Sequence, residues 1–177
     1  MIAARVKSPP TRSADPIQAS PLAWQPELLA SFLRLYGTLW SHGELDQATK
    51  ELARIRNART IDCPICKAIR FSGARREGLT EEIVAEIRDG YEQSGLSPRQ
   101  KAVLRYTDVF LSAPGELSDE LKRDLLVQLS PAELVELTAA LALFMGFSKI
   151  AVALGGLPDE IPVHEQPTPD LPPPATA

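Results

Sequence analysis

The 177-residue chain is poor in the side chains from which metal centres are usually built, with two cysteines and two histidines. A structural zinc takes four Cys or His ligands. His42 falls at a helix end and His164 in a proline-rich stretch, neither at finger spacing from Cys63 and Cys66, so no metal and no other cofactor is expected. Basic residues are also outnumbered, 19 Lys and Arg against 23 Asp and Glu. A net charge of −4 lacks the basic footprint of a general nucleic-acid binder. The first 25 residues have no apolar stretch of the kind a secretory leader carries, and no run reads as long and uncharged enough to span a bilayer. A cytoplasmic protein without membrane contact is the expectation. Strand-like alternation is missing too, which leaves an all-α fold.

Proline is abundant but segregated. Twelve of the sixteen lie in residues 9–26 and 158–174, so residues 1–25 and 157–177 are expected to be extended tails around a helical domain over 26–156. Within that domain Pro26 can open a helix carrying Leu28, Leu29, Phe32, Leu35, Tyr36, Leu39 and Trp40 at helical spacing, ending at Gly43. A second helix is predicted from about Asp46 to Arg59, with Glu51 beside its apolar stripe as a half-buried carboxylate. A third is predicted from Asp62 or Cys63 to a Schellman-type stop at Gly78-Leu79. A short helix follows from Thr80, and Ser118 caps another. Ser97-Pro98-Arg99-Gln100 and Ser130-Pro131-Ala132-Glu133 are capping boxes that open two more helices. The last of these, ending near Gly155, is apolar on nearly all sides in its second half, which suggests that a second copy of the chain covers part of it.

Both cysteines stand in "RTIDCPICKAIR", residues 59–70, at the predicted start of the third helix. Three readings compete: a redox dithiol, half of a metal site completed elsewhere, or two small residues packed in a core. The helix N-terminus favours a thiolate at Cys63. The segment is also the most basic of the chain, with Arg54, Arg56, Arg59, Lys67, Arg70, Arg75 and Arg76 against Asp62 alone. On a continuous helix Cys63, Cys66 and Arg70 share one face. An i, i+3 pair in a first turn can close to a disulfide with little backbone movement.

Glu51, Cys63 and Cys66 at these spacings, the following "GLTEEI", and the flanking "LWSHGELD", "SPRQKAVLRYTDVF" and "LSPAELVELTAALALF" resemble the carboxymuconolactone decarboxylase and alkyl hydroperoxidase D family over residues 25–155. The resemblance implies an all-α, AhpD-like bundle of antiparallel helices assembled as a trimer or hexamer. It implies Cys66 as the thiol that attacks a hydroperoxide, Cys63 as the resolving thiol, and Glu51 in the proton relay. The family's relay histidine corresponds to Arg70, which cannot pass on a proton but can stabilise a thiolate or hold Glu51.

The leading expectation is therefore a thiol-dependent alkyl hydroperoxide or disulfide reductase, with an organic hydroperoxide as substrate and a thioredoxin-like dithiol as reductant. The decarboxylase branch implies an alternative, a lyase acting on a lactone acid whose carboxylates Arg59 and Arg70 would bind. A third possibility is a non-enzymatic helical oligomer that senses oxidants.

Overall fold

The computed structural model describes residues 3–13, 15–157 and 159–171. Its helices are α1 (Pro26–Ser41), α2 (Gln47–Thr60), α3 (Pro64–Ala68), α4 (Ser72–Arg76), α5 (Glu81–Glu86), α6 (Pro98–Ser112), α7 (Asp119–Gln128) and α8 (Pro131–Leu154). Two three-residue strands, β1 (Ile69–Phe71) and β2 (His164–Gln166), pair in parallel. The all-α expectation holds apart from this small sheet. Sequence chemistry fixes most boundaries. Asp46 caps α2 through its carboxylate, and Ser97 and Ser130 each make a complete capping box with Gln100 and Glu133. Gly78 at φ 93° closes α4 as the backbone amide of Leu79 donates to the Ala74 carbonyl.

Helix α2 is the axis of the domain, packed against both α6 and α8. Leu52, Ile55, Val103, Leu104, Leu125, Leu137 and Leu141 form the main core there. A second, aromatic cluster joins α1 to α8 and β1 through Tyr36, Trp40, Phe71 and Phe144. Leu28 and Leu35, expected inward on α1, are instead exposed.

The predicted third helix does not run through. It breaks at Ile69–Phe71, because the main-chain groups a helix would pair are taken by partners elsewhere. The carbonyls of Cys66 and Ile69 accept from Arg54 at 2.8 and 2.7 Å. The Phe71 amide donates to Glu51 and the Gly73 amide to Thr168 Oγ1. Arg70 folds back to donate to the Lys67 carbonyl. Once every group has a partner, the extended stretch costs little. It then pairs Ile69, Arg70 and Phe71 with His164, Glu165 and Gln166.

The proline-rich ends lie against the domain where they are described. Ile17 and Leu22 are buried, and Pro21–Trp24 form a turn of 3-10 helix. Gly37 admits the other end: a Cβ there would overlap the Asp170 carbonyl. Helix α8 also departs from expectation. Its most apolar 18 residues, mean hydropathy 1.9, are long and apolar enough to cross a bilayer by length and composition, with 39% of that stretch buried inside the chain. Glu136 and Lys149 bound its charge-free part, residues 137–148. The helix places Leu137, Ala140, Leu141, Phe144, Ser148 and Ala151 inside the domain.

Candidate active site

The two thiols are delivered by one turn. Helix α2 ends with Asp62 in the left-handed region at φ 58°, the amide of Asp62 donating to Arg59 and that of Cys63 to Ala58. This is a Schellman arrangement with aspartate where glycine is usual. It turns the chain sharply enough for Cys63 to cap α3, its sulfur accepting from the Cys66 amide at 3.4 Å. Pro64 fits the first helical position, where no amide is needed. Both thiols are free and buried, packed with Ala58 of α2 and Ala151 of α8.

Their environments differ. Cys63 is fully enclosed, and its pKa is pushed far up by the hydrogen bond it shares with Cys66 and by burial. The same hydrogen bond lowers Cys66 from an ordinary 9.0 to about 7, against burial and with help from the Ser148 hydroxyl and Arg54. Of the two, Cys66 is thus the more acidic thiol. The helix terminus does not make Cys63 the acidic thiol, as its position suggested. Enclosure and the neighbouring sulfur outweigh the dipole.

Glu51 is fully buried rather than half-buried. It pairs with Arg54, three residues on, through two bonds of 2.6 and 2.7 Å, and accepts the Phe71 amide at 3.1 Å. Burial opposes the Arg54 charge but the Glu51 carboxylate more than restores it, so Arg54 holds its proton more tightly than a free arginine. Its guanidinium also lies over the Phe71 ring, 5.0 Å from the centroid. Arg54 therefore takes the position beside Glu51 and Cys66 in which Arg70 was expected. Arg70 lies in β1, not on the helix of the thiols, and directs its guanidinium to Glu81 and the carbonyls of Lys67 and Ile69. Arg59 donates to the Ile87 carbonyl at the end of α5. Glu51, Cys63 and Cys66 are thus brought together, while Arg59 and Arg70 are turned elsewhere.

A cavity of about 260 Å³ adjoins the pair. Cys66 lines it and Cys63 does not. Tyr36, Ile65, Phe71, Phe144 and Phe147 make its apolar wall, and Arg54 and Ser148 reach it beside the sulfur. Burial raises the Tyr36 pKa, keeping a neutral phenol in that wall. The far side is lined by the proline-rich ends, through Asp15–Gln18 and Gln166, Pro167, Pro169 and Asp170. Among the described residues no group of three His, Cys, Asp or Glu could hold a metal ion. Spacing gave no sign of Asn57 or Ser148, although a lone hydroxyl within the apolar run of α8 is a signal of a kind. An anionic sulfur against an apolar chamber, with a second thiol behind it, can attack a small apolar electrophile and then close to a disulfide.

Residues 26–108 match the model of the carboxymuconolactone decarboxylase family. An uncharacterized protein of Mycobacterium tuberculosis is 34% identical over 111 residues, 63% of this chain and 39% of its own length. The chain thus spans about two fifths of that relative. The uncharacterized protein YdfG of Bacillus subtilis is 25% identical over 112 residues, 63% of this chain and 76% of its own. Among solved structures, a protein of unknown function from Agrobacterium tumefaciens, provisionally described as the antioxidant defence protein AhpD, superposes with a TM-score of 0.62 at 21% identity. It covers 84% of this chain and 97% of that one, a likeness of fold. The matched segment runs from the opening of α1 into α6 and contains Glu51, Arg54 and both thiols; over that segment the chain is similar to the carboxymuconolactone decarboxylase family.

Proposed function

We propose that the chain is a thiol-dependent peroxidase acting on organic hydroperoxides, with Cys66 as nucleophile and Cys63 as resolving thiol. The Cys66 thiolate attacks the distal peroxide oxygen and the O–O bond breaks. Cys66 becomes a sulfenic acid, and the departing alkoxide takes up the proton released when Cys66 ionised. Cys63 then attacks the sulfenic sulfur, water leaves, and a disulfide remains. A thioredoxin-like dithiol supplies the two electrons and two protons that restore both thiols. One observation carries this reading: of the two sulfurs, the one whose pKa is lowered is also the one that meets the apolar cavity. Glu51 and Arg54 act here as a fixed ion pair that shapes the site, and Glu51 need not move a proton.

The lyase alternative draws less support. Arg59 and Arg70, the cations it would need for a substrate carboxylate, are both bound within the protein. Assembly as a homo-oligomer is part of the proposal. Leu28 and Leu35 of α1, Val127 of α7 and Val135 of α8 are apolar and exposed on the single chain, as they would be if a second copy covered them.

The deciding experiment is the intact mass of reduced protein before and after one equivalent of cumene hydroperoxide. Loss of two hydrogens per chain within minutes, abolished in Cys66→Ser, is expected. An unchanged mass overturns the proposal.

A further inference from the structure

Among the described residues, six helix hydroxyls bond back to the carbonyl four residues earlier: Thr38, Ser41, Thr60, Thr107, Ser112 and Thr138. Such back-bonding is the usual resting place of a serine or threonine within a helix. Ser148 of α8 does otherwise. It is 2% exposed, and its hydroxyl donates to Cys66 Sγ at 3.4 Å. On its other side it accepts from Asn57 Nδ2 of α2 at 3.1 Å.

The direction of these bonds follows from what each group owns. A hydroxyl has one proton and two lone pairs. With an Asn57 N–H seated on one lone pair, the proton is free to point at the sulfur. Asn57 is itself fully buried, and its Oδ1 has no hydrogen-bond partner among the described residues. A core built only for stability would place apolar side chains at both positions, since an unpaired buried amide oxygen is costly. The pair is better understood as serving the thiol.

We propose that Ser148 adds to the activation of Cys66 in this chain, by hydrogen-bonding its thiolate in addition to Cys63's contribution, and that Asn57 is the positioning residue that aims the hydroxyl. The inference rests on the reading of Cys66 as nucleophile and goes beyond it, because it supplies a neutral donor where a relay histidine is lacking. A hydroxyl does not accept the thiol proton near neutral pH, so Ser148 stabilises the anion and does not carry the proton away. The other groups facing Cys66 do not duplicate this. Glu51 neutralises Arg54 at close range, and the guanidinium is directed to that carboxylate and to the carbonyls of Cys66 and Ile69. Cys63 acts equally in any Ser148 variant, Tyr36 is held neutral by burial, and Asp15 and Asp170 lie along the cavity with no donor to offer as carboxylates.

The test is the rate of Cys66 alkylation by iodoacetamide against pH, followed by peptide mass in the intact protein and in Ser148→Ala, Ser148→Thr and Asn57→Ala. For Ser148→Ala the midpoint should rise by about one pH unit, the size expected for one hydrogen bond to a charged group. Ser148→Thr should keep the original midpoint, and Asn57→Ala should shift upward by a smaller amount. A Ser148→Ala profile that overlays the unaltered protein, or a threonine variant displaced as far as the alanine one, overturns the proposal. If Ser148→Ala fails to fold, the Asn57→Ala profile decides, and an unmoved midpoint there overturns it as well. Hydroperoxide does not enter the measurement, so the role of Ser148 and the peroxidase reading stand or fall separately.

Discussion

Glu51 and Arg54, three residues apart on α2, form a two-point ion pair that is buried and also holds three main-chain groups of the segment after the dithiol. The pair does what neither residue could do alone. It neutralises itself in the core, and it replaces helical hydrogen bonds so that the chain can leave α3 and turn along the cavity. Removing one partner strands the other charge. We expect Glu51→Ala to lose about 3–5 kcal/mol of stability, read by urea denaturation. A loss below about 1 kcal/mol, the range of exposed pairs, would mean the pair is not the keystone described.

The two thiols should differ in reactivity. With the Cys66 pKa at about 7, its alkylation rate should fall tenfold per pH unit below that point and level off above it, because only the thiolate reacts. Cys63, whose pKa is pushed up, should stay unmodified throughout. Peptide mapping after brief iodoacetamide treatment checks this; equal or preferential labelling of Cys63 would reverse the assignment.

Arg70 should matter for folding and not for the thiol. It donates to Glu81 and to two carbonyls, so Arg70→Ala should cost about 1–3 kcal/mol in denaturant. Its Cys66 alkylation midpoint should match that of the unaltered protein. A displaced midpoint in a folded variant would return Arg70 to the site.

Gly37 sets how closely the proline-rich end lies on α1. Gly37→Ala should cost about 1–3 kcal/mol by overpacking, or else lift residues 167–171 off the helix. In the second case a bulky maleimide should label Cys66 faster than in the unaltered chain. Neither effect would mean that this end does not wall the cavity in solution.

The helix ends were open to sequence reasoning, because Asp46, Ser97 and Ser130 carry their capping chemistry within a few residues. The dithiol and Glu51 could be found for the same reason, since spacing along one helix and across one turn brings them together. Arg70 was misplaced because its position at i+4 from Cys66 has meaning only on an unbroken helix. The break depends on Thr168 and β2, about a hundred residues away, and on Arg54, which among so many arginines has no local mark. The pair Glu51-x-x-Arg54, on a stripe shared with Ala58, was the available sign of a buried ion pair. Ser148 meets Cys66 only through the packing of α8 on α2, which nothing near either residue encodes.

The wall at Gln166–Asp170 leaves the ribosome about a hundred residues after the thiol it faces. At roughly 5–20 residues per second, a nascent chain carries its dithiol for several seconds before that part of the cavity wall is made. The cavity draws its lining from both ends of the described chain, Asp15–Gln18 and Gln166–Asp170, whereas the two thiols lie within four residues of each other at α3. A premature stop after α8 would leave both thiols without the Gln166–Asp170 part of the cavity wall.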